Sequence, residues 1–383
     1  MSHPHRPLAD GMQDAAAAQV AALALREREA MARALALASS ATAVARPNPG
    51  VGCVILKDGR VVGEGSTQRV GGPHAEVMAL RSAGAAARGA TAVMTLEPCN
   101  HTGRTGPCSV ALLDAGVRRV VHALADPGAA AAGGAASLRA AGVQVIGGLF
   151  APWASEVHRA FLVSATRERP HLTLKVAMTA DGAMARRDGA WVTGPMARAR
   201  VHALRDLADG VLVGVGTVLA DDPQLDVRAL PPIGTQPVPI IVDSRLRTPP
   251  NARAVARGAL VLTTNDASTD RASTLAAQGA TILRVASGVD GRVDLNAAQV
   301  ALYRHGLRQI FAEPGPELGR ALLAAGWVDD VVLHVAPDVA DDDRLPTVAP
   351  TLVHPLVHAV QRIRLLGKDL EVQVRVEDPL PPG

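Results

Sequence analysis

The sequence contains very few aromatic side chains, with three Trp, three Phe and a single Tyr in 383 residues. Proteins that bind single-stranded nucleic acid stack bases on aromatic rings and gather cations into a basic stripe. Here charges of both signs are interspersed, and the formal net charge is only +3. These absences argue against a nucleic-acid partner and favour a small-molecule substrate.

Cysteine and long apolar runs are also scarce. The three cysteines, Cys53, Cys99 and Cys108, are too few for a disulfide framework in a chain of this length. No run approaches the ~18 apolar residues of a membrane span. The N-terminus lacks the charged start and apolar core of a signal peptide. We therefore expect a cytoplasmic protein that does not contact a membrane.

The length favours two domains of about 100–200 residues each. We expect a flexible tail over residues 1–24, a first domain over 25–168 and a second over 169–383, divided at the charged, proline-ended segment 167–170. Helix and strand signals alternate in both halves, which predicts α/β domains. Strands of the second half are predicted at 171–177, 210–215, 239–242, 259–263, 309–312 and 330–335. The alternation over 370–376 predicts an amphipathic strand near the end of a sheet.

The first half contains a set of residues that is typical of a catalytic zinc site. His74-Ala75-Glu76 is followed by Pro98-Cys99 and then by Cys108. One histidine and two cysteines provide the three protein ligands that catalytic zinc requires, and zinc lowers the pKa of a bound water. Glu76 is placed to act as a proton shuttle that is not itself a ligand. A core histidine beside two buried cysteines is the alternative, but the order of residue types matches the zinc-deaminase signature. Eight residues separate the two cysteines, whereas the commonest form of that signature has two.

That long spacing belongs to a wider resemblance. The segments 47–54, 72–77 and 95–108 closely resemble the deaminase domain of the RibD family, the bifunctional deaminase–reductases of riboflavin biosynthesis. The resemblance implies a cytidine-deaminase-like three-layer α/β domain that removes an exocyclic amine from a diamino-hydroxy-phosphoribosylaminopyrimidine. It also implies Zn²⁺ at His74, Cys99 and Cys108, with Glu76 as the catalytic residue. The substrate contacts that it implies are Asn48, His101, Arg104 and Thr105. Gly106 and the segment 126–128 depart from the family pattern.

The second half resembles the dihydrofolate-reductase-like domain of the same family. The segments that match are 175–182, 191–195, 210–225 and 313–318. The Gly-x-Gly turn over 214–216 is by itself a weak signal for a phosphate site. The resemblance implies that NADPH reduces a ribosyl chain to a ribityl chain. The NADPH contacts that it implies are Met178, Trp191, Thr217, Asp221 and Gly315. The substrate contacts are Arg205, Leu225, Arg228 and Glu313.

Two positions of the second half depart from the family pattern. Gly189 occupies the place of a substrate-binding serine, and Asp338 follows Ala336-Pro337 where a lysine is usual. These departures motivate an alternative, an active deaminase whose C-terminal domain is degenerate and only structural. A deaminase of bases in nucleic acid is a third reading, and the scarcity of aromatics argues against it. The family resemblance also implies a homo-oligomer.

Overall fold

The computed structural model describes residues 8–102, 106–128, 131–186, 188–340, 347 and 360–376, with side chains described from residue 24 onward. The chain divides into two compact units between Arg159 and Ala160. Helices and strands alternate in both, which confirms the predicted α/β class. Within the described residues, no helix combines the length and apolar character needed to cross a lipid bilayer.

The first unit is built on one five-stranded sheet in the order β2-β1-β3-β4-β5. Strand β1 is antiparallel to both β2 and β3, whereas β3, β4 and β5 run parallel. The first helix begins at Leu8, so helix extends into the segment for which a flexible tail was expected. The elements are α1 (Leu8–Ala45), β1 (Gly52–Lys57), β2 (Arg60–Ser66), α2 (Ala75–Ala83), β3 (Thr91–Leu96), α3 (Cys108–Asp114), β4 (Arg119–Leu124), α4 (Gly134–Ala140), β5 (Gln144–Gly147) and α5 (Ala151–Val157).

Helices cover both faces of this sheet. Helix α1 packs on β1 and β3 and also contacts α5, whereas α2 packs on β1 and β2 and contacts α3. Gly52 of β1 lies directly against α1 at Ala34, and Gly65 of β2 lies directly against α2 at Ala75. The unit therefore has the three layers that the family resemblance implies. The start of α2 and the segment from the end of β3 to the start of α3 lie near one another, and they carry the predicted metal ligands.

The second unit is built on a nine-stranded sheet in the order β10-β9-β8-β7-β11-β6-β12-β14-β13. The seven strands from β10 to β12 are mutually parallel, and β14 and β13 are antiparallel additions at one edge. The helices are α6 (Arg159–Arg167), α7 (Pro195–Arg205), α8 (Val215–Asp221), α9 (Thr269–Ala277), α10 (Leu295–Arg304) and α11 (Pro316–Ala324). The strands are β6 (His171–Thr179), β7 (Gly210–Gly214), β8 (Val238–Val242), β9 (Leu260–Thr264), β10 (Thr281–Val285), β11 (Gln309–Ala312), β12 (Asp330–Ala336), β13 (Val360–Leu366) and β14 (Asp369–Arg375).

Apolar clusters lie on both faces of this second sheet. Alternate residues of β6, such as Leu174 and Val176, pack in one cluster around the fully buried Trp327. Val211 and Val213 of β7 belong to a second cluster on the opposite face. A parallel sheet that is covered on both faces leaves its functional groups at the carboxyl ends of the strands.

Candidate active sites

The three predicted metal ligands converge in the first unit. The ligand atoms of His74, Cys99 and Cys108 all lie within 4.8 Å of one another. His74 Nδ1 is 3.3 Å from Cys108 Sγ and 3.5 Å from Cys99 Sγ. Nitrogen and sulfur ligands on a tetrahedral zinc stand about 3.5 Å apart, given Zn–N of about 2.0 Å and Zn–S of about 2.3 Å. The residues present therefore fit zinc in both chemistry and spacing.

The local fold explains how these side chains meet. His74 is the N-cap of α2, Cys108 is the first residue of α3, and Cys99 follows β3. The Cys108 backbone N–H donates to Cys99 Sγ at 3.4 Å. Exposed N–H groups at a helix start stabilise a neighbouring thiolate. The Cys108 thiol is the main cause that lowers the pKa of Cys99, helped by His74 and the Cys108 N–H. These donors favour a thiolate in the cysteine pair, which is the form that binds zinc.

Glu76 lies beside the three ligands but is not one of them. It is the second residue of α2 and is 4% exposed. Burial raises the pKa of the Glu76 carboxyl, and the charge of Cys99 adds to this effect. A buried carboxyl with a raised pKa is suited to accept and return a proton near neutral pH.

Two of the other predicted residues of the first unit are exposed. Asn48 is exposed in the turn before β1, and His101 is exposed two residues beyond Cys99. Arg104 and Thr105 lie outside the described residues, so their predicted substrate contacts stay predictions. Cys53 is fully buried in β1, and burial raises the pKa of its thiol well above the ordinary value. It packs as a strand residue and does not belong to the ligand cluster.

Several predicted residues of the second unit lie at the carboxyl ends of the central strands. Strands β7, β11 and β6 are adjacent and parallel, so their carboxyl ends lie side by side. Met178 lies near the end of β6, Thr217 lies in α8 directly after β7, and Gly315 is the N-cap of α11 after β11. A Cβ built at Gly315 or Gly216 meets nothing within 4 Å, so a phosphate can approach the backbone there. The carboxyl ends of these strands therefore fit a dinucleotide.

The two remaining cofactor predictions are more exposed. Trp191 is 75% exposed, and the Arg198 guanidinium lies 5.6 Å from its ring centroid. Asp221 is an exposed residue at the end of α8. Neither is enclosed by the fold, so their roles at the cofactor stay predictions.

The predicted substrate residues of the second unit gather around one loop. Arg205, at the end of α7, binds Glu313 Oε1 at 2.6 Å and donates to the Asp226 carbonyl at 2.9 Å. Arg228 is ion-paired with the Asp226 carboxylate. Leu225 is buried and has a φ of 54°, which turns the backbone into that loop. Helix α7, the end of β11 and the loop over 225–228 are thus joined by hydrogen bonds.

Lys175 is a site residue that the sequence alone does not reveal. It lies on β6, and its charge interacts with both Glu313 and Arg205. Burial lowers the pKa of the Lys175 amine, Arg205 lowers it further, and Glu313 opposes both. Burial would raise the pKa of Glu313, but Arg205 and Lys175 outweigh it, so the carboxyl is held ionised. Its alternation with apolar residues along β6 is by itself typical of a solvated strand face, so the sequence carries no signal for this role.

The structure shows the local surroundings of the two departures in the second half, Gly189 and Asp338. Gly189 has a φ of 69°, a left-handed conformation that disfavours serine. Asp338 is ion-paired with Arg186 and, at 3.1 Å, with Lys368. The Arg186 and Lys368 side chains lower the pKa of the Asp338 carboxyl.

Comparison with known proteins identifies both halves. Residues 170–344 match the family described as RibD C-terminal domain, and residues 25–124 match the cytidine and deoxycytidylate deaminase zinc-binding region. The chain is 41% identical over 310 residues to riboflavin biosynthesis protein RibD of Escherichia coli, covering 77% of this chain and 83% of that protein. The corresponding Aquifex aeolicus protein is 39% identical over 303 residues, covering 76% of this chain and 82% of that protein.

Solved structures give the same result. Acinetobacter baumannii RibD superposes with a TM-score of 0.82 at 33% identity, covering 91% of this chain and 98% of that chain. A Thermotoga maritima diaminohydroxyphosphoribosylaminopyrimidine deaminase/5-amino-6-(5-phosphoribosylamino)uracil reductase gives a TM-score of 0.76 at 29% identity, covering 91% and 98%.

Proposed function

This chain belongs to the RibD family of riboflavin biosynthesis, in which a deaminase and a reductase share one polypeptide, and from that premise we propose its substrates, its cofactors and the roles of its residues. The deaminase substrate is 2,5-diamino-6-(5-phosphoribosylamino)pyrimidin-4-one, which loses its exocyclic amine as ammonia. The reductase then converts the ribosyl chain of the deaminated product to a ribityl chain. The observation that carries the proposal is the meeting of His74, Cys99 and Cys108 beside the buried Glu76. The recognised reductase domain disfavours the alternative of a purely structural second half.

The deaminase residues have distinct roles. His74, Cys99 and Cys108 hold zinc, which when bound acidifies a water molecule. The Glu76 carboxyl would pass one proton of the attacking water to the ring nitrogen and the second to the leaving amine, which departs as ammonia. Burial supports this role because it raises the pKa of Glu76 and keeps competing water away from the carboxyl. Asn48, His101, Arg104 and Thr105 bind the pyrimidine and its phosphoribosyl group.

The reductase residues surround the sugar. NADPH, when bound, supplies the hydride. Glu313 and Lys175 hold the sugar hydroxyls, and the Lys175 amine is placed to move a proton because burial lowers its pKa. Arg205 and Arg228 bind the substrate phosphate, for which the planar guanidinium is well shaped, with Leu225 packing beneath the loop. Met178, Trp191, Thr217, Asp221 and Gly315 hold the cofactor.

Two exposed arginines support NADPH over NADH. Arg245 follows β8, and Arg271 in α9 donates to the Arg245 carbonyl at 3.4 Å. Neither guanidinium is ion-paired within the described part of the chain. Strands β8 and β9 lie beyond β7 in the sheet, on the side away from β6 and Lys175. We assign these cations to the 2′-phosphate, so Arg245→Ala should raise the KM for NADPH and leave that for NADH unchanged.

We also propose a domain division, a cellular location and an oligomeric state for the enzyme. The deaminase domain comprises residues 25–168 and the reductase domain residues 169–383, which the family matches ending at residue 124 and beginning at residue 170 support. The structure divides the chain nine residues earlier, between Arg159 and Ala160. The enzyme is cytoplasmic and a homo-oligomer. It acts on a small molecule and binds neither nucleic acid nor a membrane.

One experiment tests both reactions. The purified, zinc-loaded protein is given freshly prepared diaminopyrimidine substrate, and ammonia release and NADPH consumption are followed together. Loss of NADPH that follows the release of ammonia supports the complete proposal. Ammonia release without NADPH consumption would refute the reductase assignment, and NADPH consumption without ammonia would refute the deaminase assignment.

A further inference from the structure

Glu97 lies between β3 and the metal ligand Cys99, and the reaction described above gives it no task. Its side chain is 9% exposed. One carboxylate oxygen accepts the Ala135 N–H at 2.9 Å, and the other accepts the Asp126 N–H at 3.2 Å. No cation is ion-paired with Glu97 in the described residues. The buried charge is therefore satisfied by main-chain donors from two places in the chain.

Both donors belong to one segment, which we call the flanking loop and which the structure describes over residues 126–128 and 131–135. Asp126 follows β4, and Ala135 lies in the first turn of α4. Between these two residues, the Asn100 N–H donates to the Ala131 carbonyl at 2.9 Å. At Gly134 the approach is so close that an added Cβ would stand 1.8 Å from the Pro98 carbonyl oxygen. The flanking loop thus lies directly on the segment that carries Cys99.

The flanking loop brings a charged group to the edge of the metal site. The Asp126 carboxyl is close enough to Cys99 and His101 for their charges to interact. Its Oδ1 accepts the Gly128 N–H at 2.8 Å, so the side chain is fixed relative to the loop backbone. Glu97 accepts a hydrogen bond from the Asp126 backbone N–H, so it also fixes the position of the Asp126 carboxyl beside Cys99.

We propose that Glu97 is a positioning residue of the deaminase, which fixes the flanking loop as one wall of the substrate pocket beside Cys99. The inference rests on the deaminase reaction proposed above. Glutamine has the shape of glutamate without its charge, and at position 97 it should hold the flanking loop less firmly. In Glu97→Gln, one oxygen becomes an NH₂ group that faces a backbone N–H, so one buried donor loses its acceptor.

The test compares the two activities of one polypeptide. We expect Glu97→Gln to raise the deaminase KM about tenfold, the equivalent of one lost hydrogen bond of ~1.4 kcal/mol. The zinc content, the deaminase kcat and NADPH consumption on the deaminated intermediate should stay at wild-type values. Glu64→Gln is the matched control, because Glu64 is a carboxylate of the same unit that pairs with Arg33 and lies away from the flanking loop. It should leave both activities unchanged.

A second variant removes the other partner of the same bond. Ala135→Pro deletes the donor, and proline is tolerated in the first turn of a helix. It should reproduce the rise in KM. In Glu97→Gln/Ala135→Pro the bond to residue 135 is already absent and the amide oxygen can still accept the Asp126 N–H, so the KM should rise no further than in either single variant. Effects on KM that add in the double variant would show that the two residues do not act through this hydrogen bond.

Two results would overturn the inference. One is a Glu97→Gln enzyme with the wild-type KM. The other is a parallel loss of zinc and of both activities in Glu97→Gln, which would identify Glu97 as a structural residue. A wild-type enzyme that released no ammonia would refute the reaction itself and the inference with it.

Discussion

His158 should make the stability of the first unit depend on pH. It follows α5 and is 2% exposed, and its Nε2 lies 3.0 Å from Thr95 Oγ1. The same Thr95 oxygen accepts the Gly52 N–H at 3.2 Å, so the imidazole ends a short chain that joins α5, β3 and β1. Burial lowers the pKa of His158 to about 4. The folded protein therefore keeps this imidazole neutral at pH values where the unfolded chain is protonated.

The size of the effect follows from the two pKa values. Between pH 6.5 and pH 4 the unfolded chain binds up to one more proton than the folded chain at this residue, so stability rises with pH across that window. The contribution is complete above pH 6.5 and is lost as the pH falls toward 4. Because the ordinary His pKa is 6.5 and that of His158 is about 4, the full effect is about 3 kcal/mol. About 2 kcal/mol of it should be lost between pH 7.5 and pH 5.

The measurement is the free energy of unfolding from urea titrations at pH 7.5, 6 and 5, resolved for the first unit by hydrogen exchange at the β3 amides. His158→Gln retains a polar group near Thr95 but cannot titrate. A difference in unfolding free energy between variant and wild type that is the same at every pH reflects lost packing. A difference that changes with pH reflects the titration of His158. His305→Gln, at an exposed histidine of the second unit, is the control. Parallel pH profiles for wild type and His158→Gln would refute the reasoning.

Three substitutions and one metal removal test the active sites. Glu76→Gln should retain zinc and NADPH consumption on the deaminated intermediate but lower ammonia release by about 10²-fold or more, and retained release would exclude Glu76 as the proton shuttle. Lys175→Met should lower the reductase kcat with ammonia release unchanged, and an unaltered kcat would remove Lys175 from the site. Arg228→Ala should raise the KM for the deaminated intermediate more than that for NADPH, measured by initial rates; the reverse order would reassign it to the cofactor. Chelation of zinc should stop ammonia release and leave NADPH consumption intact, and equal loss of both would show that the metal supports the whole fold.

The metal ligands could be predicted from sequence because each lies in a short motif whose local structure is also readable. Pro73 and Pro107 precede His74 and Cys108, and both motifs begin helices in the structure. Glu76 follows His74 within the same helix start, so its proximity to the metal needs no long-range information. The predicted strands of the central sheet were found for a similar reason, because buried parallel strands are short apolar runs. The half-exposed edge strand β10 lacks such a run and was not predicted.

The roles of Lys175 and β14 could not be predicted in this way because they depend on distant packing. Lys175 alternates with buried apolar residues, which by itself indicates a solvated face. The structure encloses it because β6 is a central strand that lies beside Glu313. The β14 strand is present as predicted, yet Asp369 and Glu371 are buried and Leu370 is 39% exposed. The two acids point inward because Asp369 accepts the Gly194 N–H at the start of α7, and Glu371 binds Arg200 of the same helix.

The same dependence on distant residues explains why Asp338 is weak evidence for a degenerate reductase. Compared position by position, Asp338 replaces a lysine of the family pattern and so reverses the charge two residues after the end of β12. In the folded chain, Lys368 from the turn between β13 and β14 stands 3.1 Å from Asp338, and Arg186 pairs with it from the other side. The Asp338 carbonyl also accepts the Ala180 N–H at 2.9 Å, so the segment stays attached to the end of β6. The cation is thus supplied by another part of the chain, and the charge at this edge of the sheet is rearranged rather than lost.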